Sequence, residues 1–179
     1  MTEMIMVPGI GGSGEAHWQT RWERLHPGIR RFQPGDWDQP ELTDWTLALE
    51  QVVAASASPP ILIAHSLGCL LVAHWQRESC LEVAGAFLVA VPNPQSAAFP
   101  KAAASFANPP RQAWRLASLM VTSTDDPYSS GDYSVALAQT WGSRLVEIGA
   151  FGHINGQSGL QDWPQGWALL NRFKAEIGA

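Results

Sequence analysis

Apolar positions along the chain follow two alternating rhythms. Near-continuous apolar runs at residues 4–7, 61–64, 83–91 and 116–122 read as strands buried on both faces, and residues 29–32 and 144–148 are weaker runs of the same kind. Between them, apolar residues recur at three- and four-residue spacings. Trp18, Trp22 and Leu25 do so within residues 15–25, and Leu42, Trp45, Leu49 and Val52–Val53 within 41–57, and each segment predicts a helix with one apolar face. Cys69 to Ala73 form a continuous, helix-compatible apolar run within a further predicted helix, 67–78. Helices are also predicted over 133–141 and over 164–177, the latter with Pro164 in its first turn. Loops rich in glycine, proline and aspartate separate the elements. The longest irregular stretch, residues 95–112, follows the fourth strand and holds one short helical piece at 101–106.

Strands alternating with helices predict an α/β fold, a mostly parallel sheet of about six strands with helices on both faces. The 179 residues fit a single domain spanning 1–179, and 46% hydrophobic content is enough for a sizeable core. A net charge of −5 provides no basic footprint for nucleic acid or an anionic membrane, so neither partner is expected. No apolar run has bilayer-spanning length. The N-terminal residues lack the basic region of a signal peptide. On one helix, Cys69 and Cys80 would lie about 16 Å apart along its axis, too far for a disulfide, and neither sits in a Cys-x-x-Cys pair. A reducing cytoplasm is the expected setting.

In sheets of this kind, ligands bind beyond the C-terminal ends of the strands. The loop after the third strand reads Ala64-His65-Ser66-Leu67-Gly68, a sharp strand-to-helix turn with serine at its apex. This is the pattern of a nucleophile elbow, with alanine in place of the first glycine. A serine hydroxyl needs a base. Of the five histidines, His65 adjoins the serine but is expected to diverge from it. His74 lies two turns along the next helix, and His26 sits at the wrong end of the sheet. His17 heads the first helix. His153, after the sixth strand and preceded by Gly152, is placed to turn back towards Ser66. The loop after the fifth strand offers Asp125-Asp126-Pro127. Asp126, held extended by the following proline, is the expected partner of His153. Asp125 is the expected turn former, and Asp132 the cap of the next helix. The order Ser66, Asp126, His153 is that of α/β-hydrolase triads.

The loop after the first strand, Gly9-Ile10-Gly11-Gly12-Ser13-Gly14, supports two readings. It matches the Gly-x-Gly-x-x-Gly dinucleotide fingerprint, with Asp36 at ribose distance, but the bulky His17 and Trp18 follow soon after. It also suits one wall of an oxyanion hole, with backbone N–H groups from Ile10 and from Leu67 as the two donors.

With these residues assembled, the chain resembles the small serine hydrolase family of the α/β-hydrolase superfamily that includes human retinoblastoma-binding protein 9. The marks of the resemblance are Val7-Pro8-Gly9-x-Gly11-Gly12, His17-Trp18, His65-Ser66-x-Gly68, Ser123-Thr124-Asp125-Asp126-Pro127-Tyr128 and Gly152-His153-Ile154-Asn155. It implies a compact α/β-hydrolase fold without a large cap domain, and a catalytic triad of Ser66, Asp126 and His153. The Leu-x-Cys-x-Glu motif tied to retinoblastoma protein is incomplete here, since Glu78-Ser79-Cys80-Leu81-Glu82 lacks the leucine. That partner is not expected.

The expected activity is hydrolysis of small or short-chain carboxylic esters, or of amides, with no cofactor and no metal. Trp18, Trp37, Trp114, Tyr128 and Phe151, with Phe99, are candidate substrate contacts on aromatic character and placement. The competing class is a protein-binding module that keeps the fold without the chemistry; a complete triad argues against it.

Overall fold

The near-continuous apolar runs become the middle of one sheet. A computed structural model describes residues 2–179, with elements β1 (Met4–Val7), α1 (Trp18–Leu25), β2 (Ile29–Arg31), α2 (Leu42–Ala54), β3 (Ile61–His65), α3 (Leu67–Glu78), β4 (Gly85–Val89), β5 (Ser118–Thr122), α4 (Gly131–Trp141), β6 (Arg144–Glu147) and α5 (Pro164–Ile177). The strand order is β2-β1-β3-β4-β5-β6, and every pairing is parallel. Strands β3, β4 and β5 are buried at every position because both of their faces are covered. That is why their sequences do not alternate. β6 lies at the edge with both ends exposed, and its sequence signal is correspondingly weak.

Successive strand residues feed two cores on opposite faces of the sheet. Ile5, Leu62, Leu88 and Met120 join Trp45 and Leu49 of α2, Leu71 and Trp75 of α3, and Trp141 of α4. Met6, Ile63, Phe87 and Val121 join Trp18 and Trp22 of α1 and Leu170 and Phe173 of α5, with Trp163. Trp18, Trp22, Trp45, Trp75, Trp141 and Trp163 are all fully buried, so the high tryptophan content is chiefly packing between helices and sheet.

The boundaries differ from the sequence reading where backbone geometry intervenes. β4 ends at Val89 because Ala90 adopts a positive φ of 55°. The glycine loop after β1 folds into a 3-10 turn, Ile10–Gly12, with Gly11 at φ 78°. α1 starts at Trp18, capped by the His17 ring, because the N–H of His17 donates to Gly14 in a preceding turn. The cap of α4 is Ser130, which accepts from the N–H of Tyr133, so Asp132 lies inside the first turn rather than capping it. The irregular segment after β4 holds a 3-10 helix, Lys101–Phe106, whose Phe106 packs on Trp45. Among the described residues no helix is long and apolar enough to cross a membrane.

Strand order reverses between β1 and β3. One connection leaves β1 towards β2, and the chain continues from β3 towards β4. The loops at their C-terminal ends therefore stand side by side, where such sheets open a crevice.

Candidate active site

Ser66 sits at that reversal. Its backbone has φ 53° and ψ −123°, a strained conformation for any residue with a side chain. Two contacts hold it there. Its N–H donates to Val89 O at 2.9 Å, and its carbonyl accepts from Cys69 N at 2.9 Å. The elbow packs tightly against the end of β1. A Cβ at Gly68 would lie 2.2 Å from Val7 O, and one at Gly9 would lie 3.0 Å from Ser66 Cβ and 3.2 Å from Leu67 N. Glycine at both positions keeps the space beside the serine clear.

The three residues expected to act together meet. Ser66 Oγ lies 2.7 Å from His153 Nε2, and His153 Nδ1 lies 2.9 Å from each carboxylate oxygen of Asp126. A carboxylate only accepts, so Nδ1 carries the proton and Nε2 presents a lone pair to the serine O–H. Asp126 Oδ1 also accepts from Tyr128 N at 2.9 Å, and its side chain is 1% exposed. The two aspartates divide the work. Asp125 Oδ1 accepts from Ser123 Oγ at 2.8 Å and from Gly152 N at 2.7 Å, tying the loop after β5 to the loop that carries His153. Those bonds, Ser123 first, hold the Asp125 carboxyl below its usual pKa.

The glycine loop supplies N–H groups beside Ser66. Those of Gly11 and Gly12 are engaged by the carbonyls of Trp37 and Gly9. Those of Ile10 and Leu67 have no acceptor among the described residues.

Residues 4–172 match the model of the serine hydrolase family. This chain belongs to that family. A YdeN-like hydrolase from Pectobacterium atrosepticum is 31% identical, with a TM-score of 0.89 over 99% of this chain and 92% of that one. The ydeN gene product of B. subtilis is 22% identical, with a TM-score of 0.80 over 98% of this chain and 100% of that one. A thermophilic esterase from Thermogutta terrifontis shares the fold at 13% identity, with a TM-score of 0.69 over 100% of this chain and 91% of that one. No curated protein matches the sequence.

In this serine hydrolase the other histidines have distinct places. His65 is engaged elsewhere, its Nε2 lying 2.9 Å from the carbonyl of His153. Burial, with smaller contributions from His17 and His153, pushes its pKa well below the usual value. His17 Nδ1 accepts from Gln19 N at 3.1 Å, and burial, aided by the Arg31 charge, lowers its pKa to about 3. His74 is half-buried against Phe106 O, and His26 stacks on Trp167.

Ser66 opens into a cavity of about 650 Å³. Its lining includes the apolar or aromatic Phe99, Pro100 and Tyr128 and the polar His17, His65, Asn155 and Gln157. The segment after β4 thus supplies a wall. Of the aromatic candidates, Tyr128 lines the cavity and packs 4.5 Å, centroid to centroid, from the His153 ring. Phe151 lines an adjoining cavity of about 590 Å³ with Tyr128 and His153.

Three tryptophans are corrected. Trp18 is 1% exposed, and its indole N–H holds Ile154 O at 2.8 Å. Trp37 packs on Phe32 and Trp45 and shapes the glycine loop at Gly12. Trp114 is buried on Trp141. None of the three lines the cavity. His17, Asn155 and Gln157 line it without having been singled out as contacts, although His17 and Asn155 stand in the motifs that flank the site.

The dinucleotide pattern has no matching geometry. Gly14 has no neighbour within 4 Å of an added Cβ, α1 starts only at Trp18, and Asp36 Oδ1 is engaged by Asp38 N and Gln39 N. No group of three or more His, Cys, Asp or Glu is placed to hold a metal among the described residues.

Proposed function

We propose that this serine hydrolase cleaves carboxylic esters, and amides as the harder variant of the same acyl transfer, of small or short-chain substrates. The observation that carries the reading is the unbroken hydrogen-bonded chain Asp126–His153–Ser66 at the mouth of a cavity. Ser66 attacks the substrate carbonyl while His153 Nε2 takes its proton, and Asp126 steadies the imidazolium. The oxyanion meets the N–H groups of Ile10 and Leu67, which lie in the wall beside the serine. His153 then protonates the leaving alcohol or amine, and the C–O or C–N bond breaks. Water, activated by His153, releases the acid from the acyl-enzyme. The cavity volume and the absence of a large cap support small substrates. The setting proposed for the enzyme is a reducing cytoplasm, a reading supported by two cysteines, Cys69 and Cys80, that are both free thiols.

Labelling tests this directly. A fluorophosphonate is expected to modify wild-type protein at Ser66 and to leave Ser66→Ala unlabelled, with loss of hydrolysis across a panel of p-nitrophenyl esters. Equal labelling of both proteins would remove Ser66 from the role of nucleophile.

A further inference from the structure

The mechanism leaves one buried histidine beside the nucleophile unused. His65 is 4% exposed, lines the same cavity as Ser66, and reaches the loop after β6 through its Nε2. That loop must hold His153 to within a fraction of an ångström for its Nε2 to meet the serine. Its other residues are anchored from outside. Phe151 N donates to Ser123 Oγ at 2.9 Å, Gly152 N donates to Asp125 Oδ1 at 2.7 Å, and Ile154 O accepts from Trp18 Nε1 at 2.8 Å. At His153 itself the backbone anchor is His65 Nε2, 2.9 Å from the carbonyl oxygen.

We propose that His65 is a positioning residue that sets the His153 backbone, and through it the imidazole, in register with Ser66; this rests on the triad reading above. A carbonyl only accepts, so the His65 ring carries its proton on Nε2 and donates. Because His65 immediately precedes Ser66, the same strand end fixes both the nucleophile and the backbone of its base. The linkage spans 88 positions of sequence in one bond.

His17 backs the arrangement. Its ring meets His65 edge-on at 4.6 Å, and His65 meets His153 at 5.0 Å. Since His17 Nδ1 accepts from Gln19 N, its proton is on Nε2, which is buried and has no acceptor among the described residues. The N-terminal end of α1, with its cap residue His17, thus packs against the His65 ring. The groups facing His65 from the packed elements are His17 and Trp18 of the α1 head and His153 of the loop after β6. Burial keeps both supporting histidines neutral, so neither competes for the catalytic proton.

The test compares His65→Leu, His65→Gln and His65→Asn with wild type, measuring kcat per phosphonate-titrated site, KM and the pH profile of kcat/KM. Leucine keeps bulk without a donor, glutamine reaches the Nε2 position with an N–H, and asparagine falls short of it. The expected result is a fall in kcat of roughly 10- to 100-fold for His65→Leu with KM nearly unchanged, the scale associated with misplacing a catalytic group. His65→Gln should recover most of the loss and His65→Asn little. Wild-type kcat in His65→Leu, or equal kcat in the Gln and Asn variants, overturns the proposal. If His65→Leu does not fold, the Gln-to-Asn comparison decides alone. Ser66→Ala run in parallel separates the two readings. Its inactivity beside a fully active His65→Leu refutes the positioning role only, whereas full activity in Ser66→Ala refutes the nucleophile and the positioning role with it.

Discussion

Gly68 shows how one missing methyl group shapes the site. It is the second residue of α3, a position where glycine normally weakens a helix and alanine strengthens it by up to about 1 kcal/mol. Here an added Cβ would stand 2.2 Å from Val7 O and 2.7 Å from Pro8 O, both backbone atoms that cannot swing aside. The sign therefore reverses. Gly68→Ala is expected to lose about 1–3 kcal/mol in urea unfolding, the cost of overpacking, and to lower kcat by pushing the glycine loop from Ser66. A stabilised variant would show that the approach of α3 to β1 is slack. Ser66 itself bears strain at φ 53°, tolerable because Val89 and Cys69 hold it on both sides.

At the scale of elements, the site is a set of strand-end loops stitched together by side chains from elsewhere. Trp18 is the instructive case. Its ring belongs to the α1–α5 core with Trp22 and Trp163, while its N–H fixes Ile154, the residue after His153. Trp18→Phe keeps an aromatic ring and leaves the buried carbonyl without its donor. We expect a stability loss of about 1–3 kcal/mol by denaturant titration, and a lower kcat per titrated site with KM little changed. Unaltered kcat would mean that Ile154 has no part in placing His153. Asp125 and Ser123 make the corresponding ties from the other side, which is why a double aspartate follows β5: one carboxylate holds the loop and the other holds the imidazole.

For the whole molecule, burying histidines makes stability depend on pH. Above about pH 6.5, His17 and His65 are neutral in folded and unfolded chains alike, and their contribution is fully present. Below it the unfolded chain takes up protons that the folded protein refuses, until His17 protonates in the fold near pH 3. Stability should therefore fall with acid through that window, by up to about 1.4 kcal/mol per pH unit for each such histidine. Denaturant unfolding between about pH 5 and pH 7 measures the slope. His17→Asn, which retains an acceptor for Gln19 N, should flatten it, and an unchanged slope would assign the protons elsewhere. Cavity size sets a second global property. With about 650 Å³ beside Ser66, kcat/KM is expected to decline from acetyl and butyryl esters to long-chain esters. A rise with chain length in a p-nitrophenyl series would contradict it.

The sequence by itself determined the elements and the candidate triad. Whether a run is buried on one face or two is written in its own period, so strands such as 61–64 and helices such as that around Trp45 and Leu49 were legible locally. Ser66, Asp126 and His153 were legible because each lies just past a strand, at the end where parallel sheets place their chemistry. Tertiary structure decided what depends on distant neighbours. Strand order set β1 beside β3 and left the N–H groups of Ile10 and Leu67 without acceptors, while Trp37 and Gly9 took those of Gly11 and Gly12. It sent Trp18, Trp37 and Trp114 into packing and brought Phe99 to the cavity. An aromatic ring on a strand-end loop has the same local signature whether it turns inward or outward, and only the packing of other segments selects between them. His65 is the clearest instance. Its place beside Ser66 is read from the chain, but its partner lies 88 residues away and exists only once the sheet has brought β3 and the loop after β6 together.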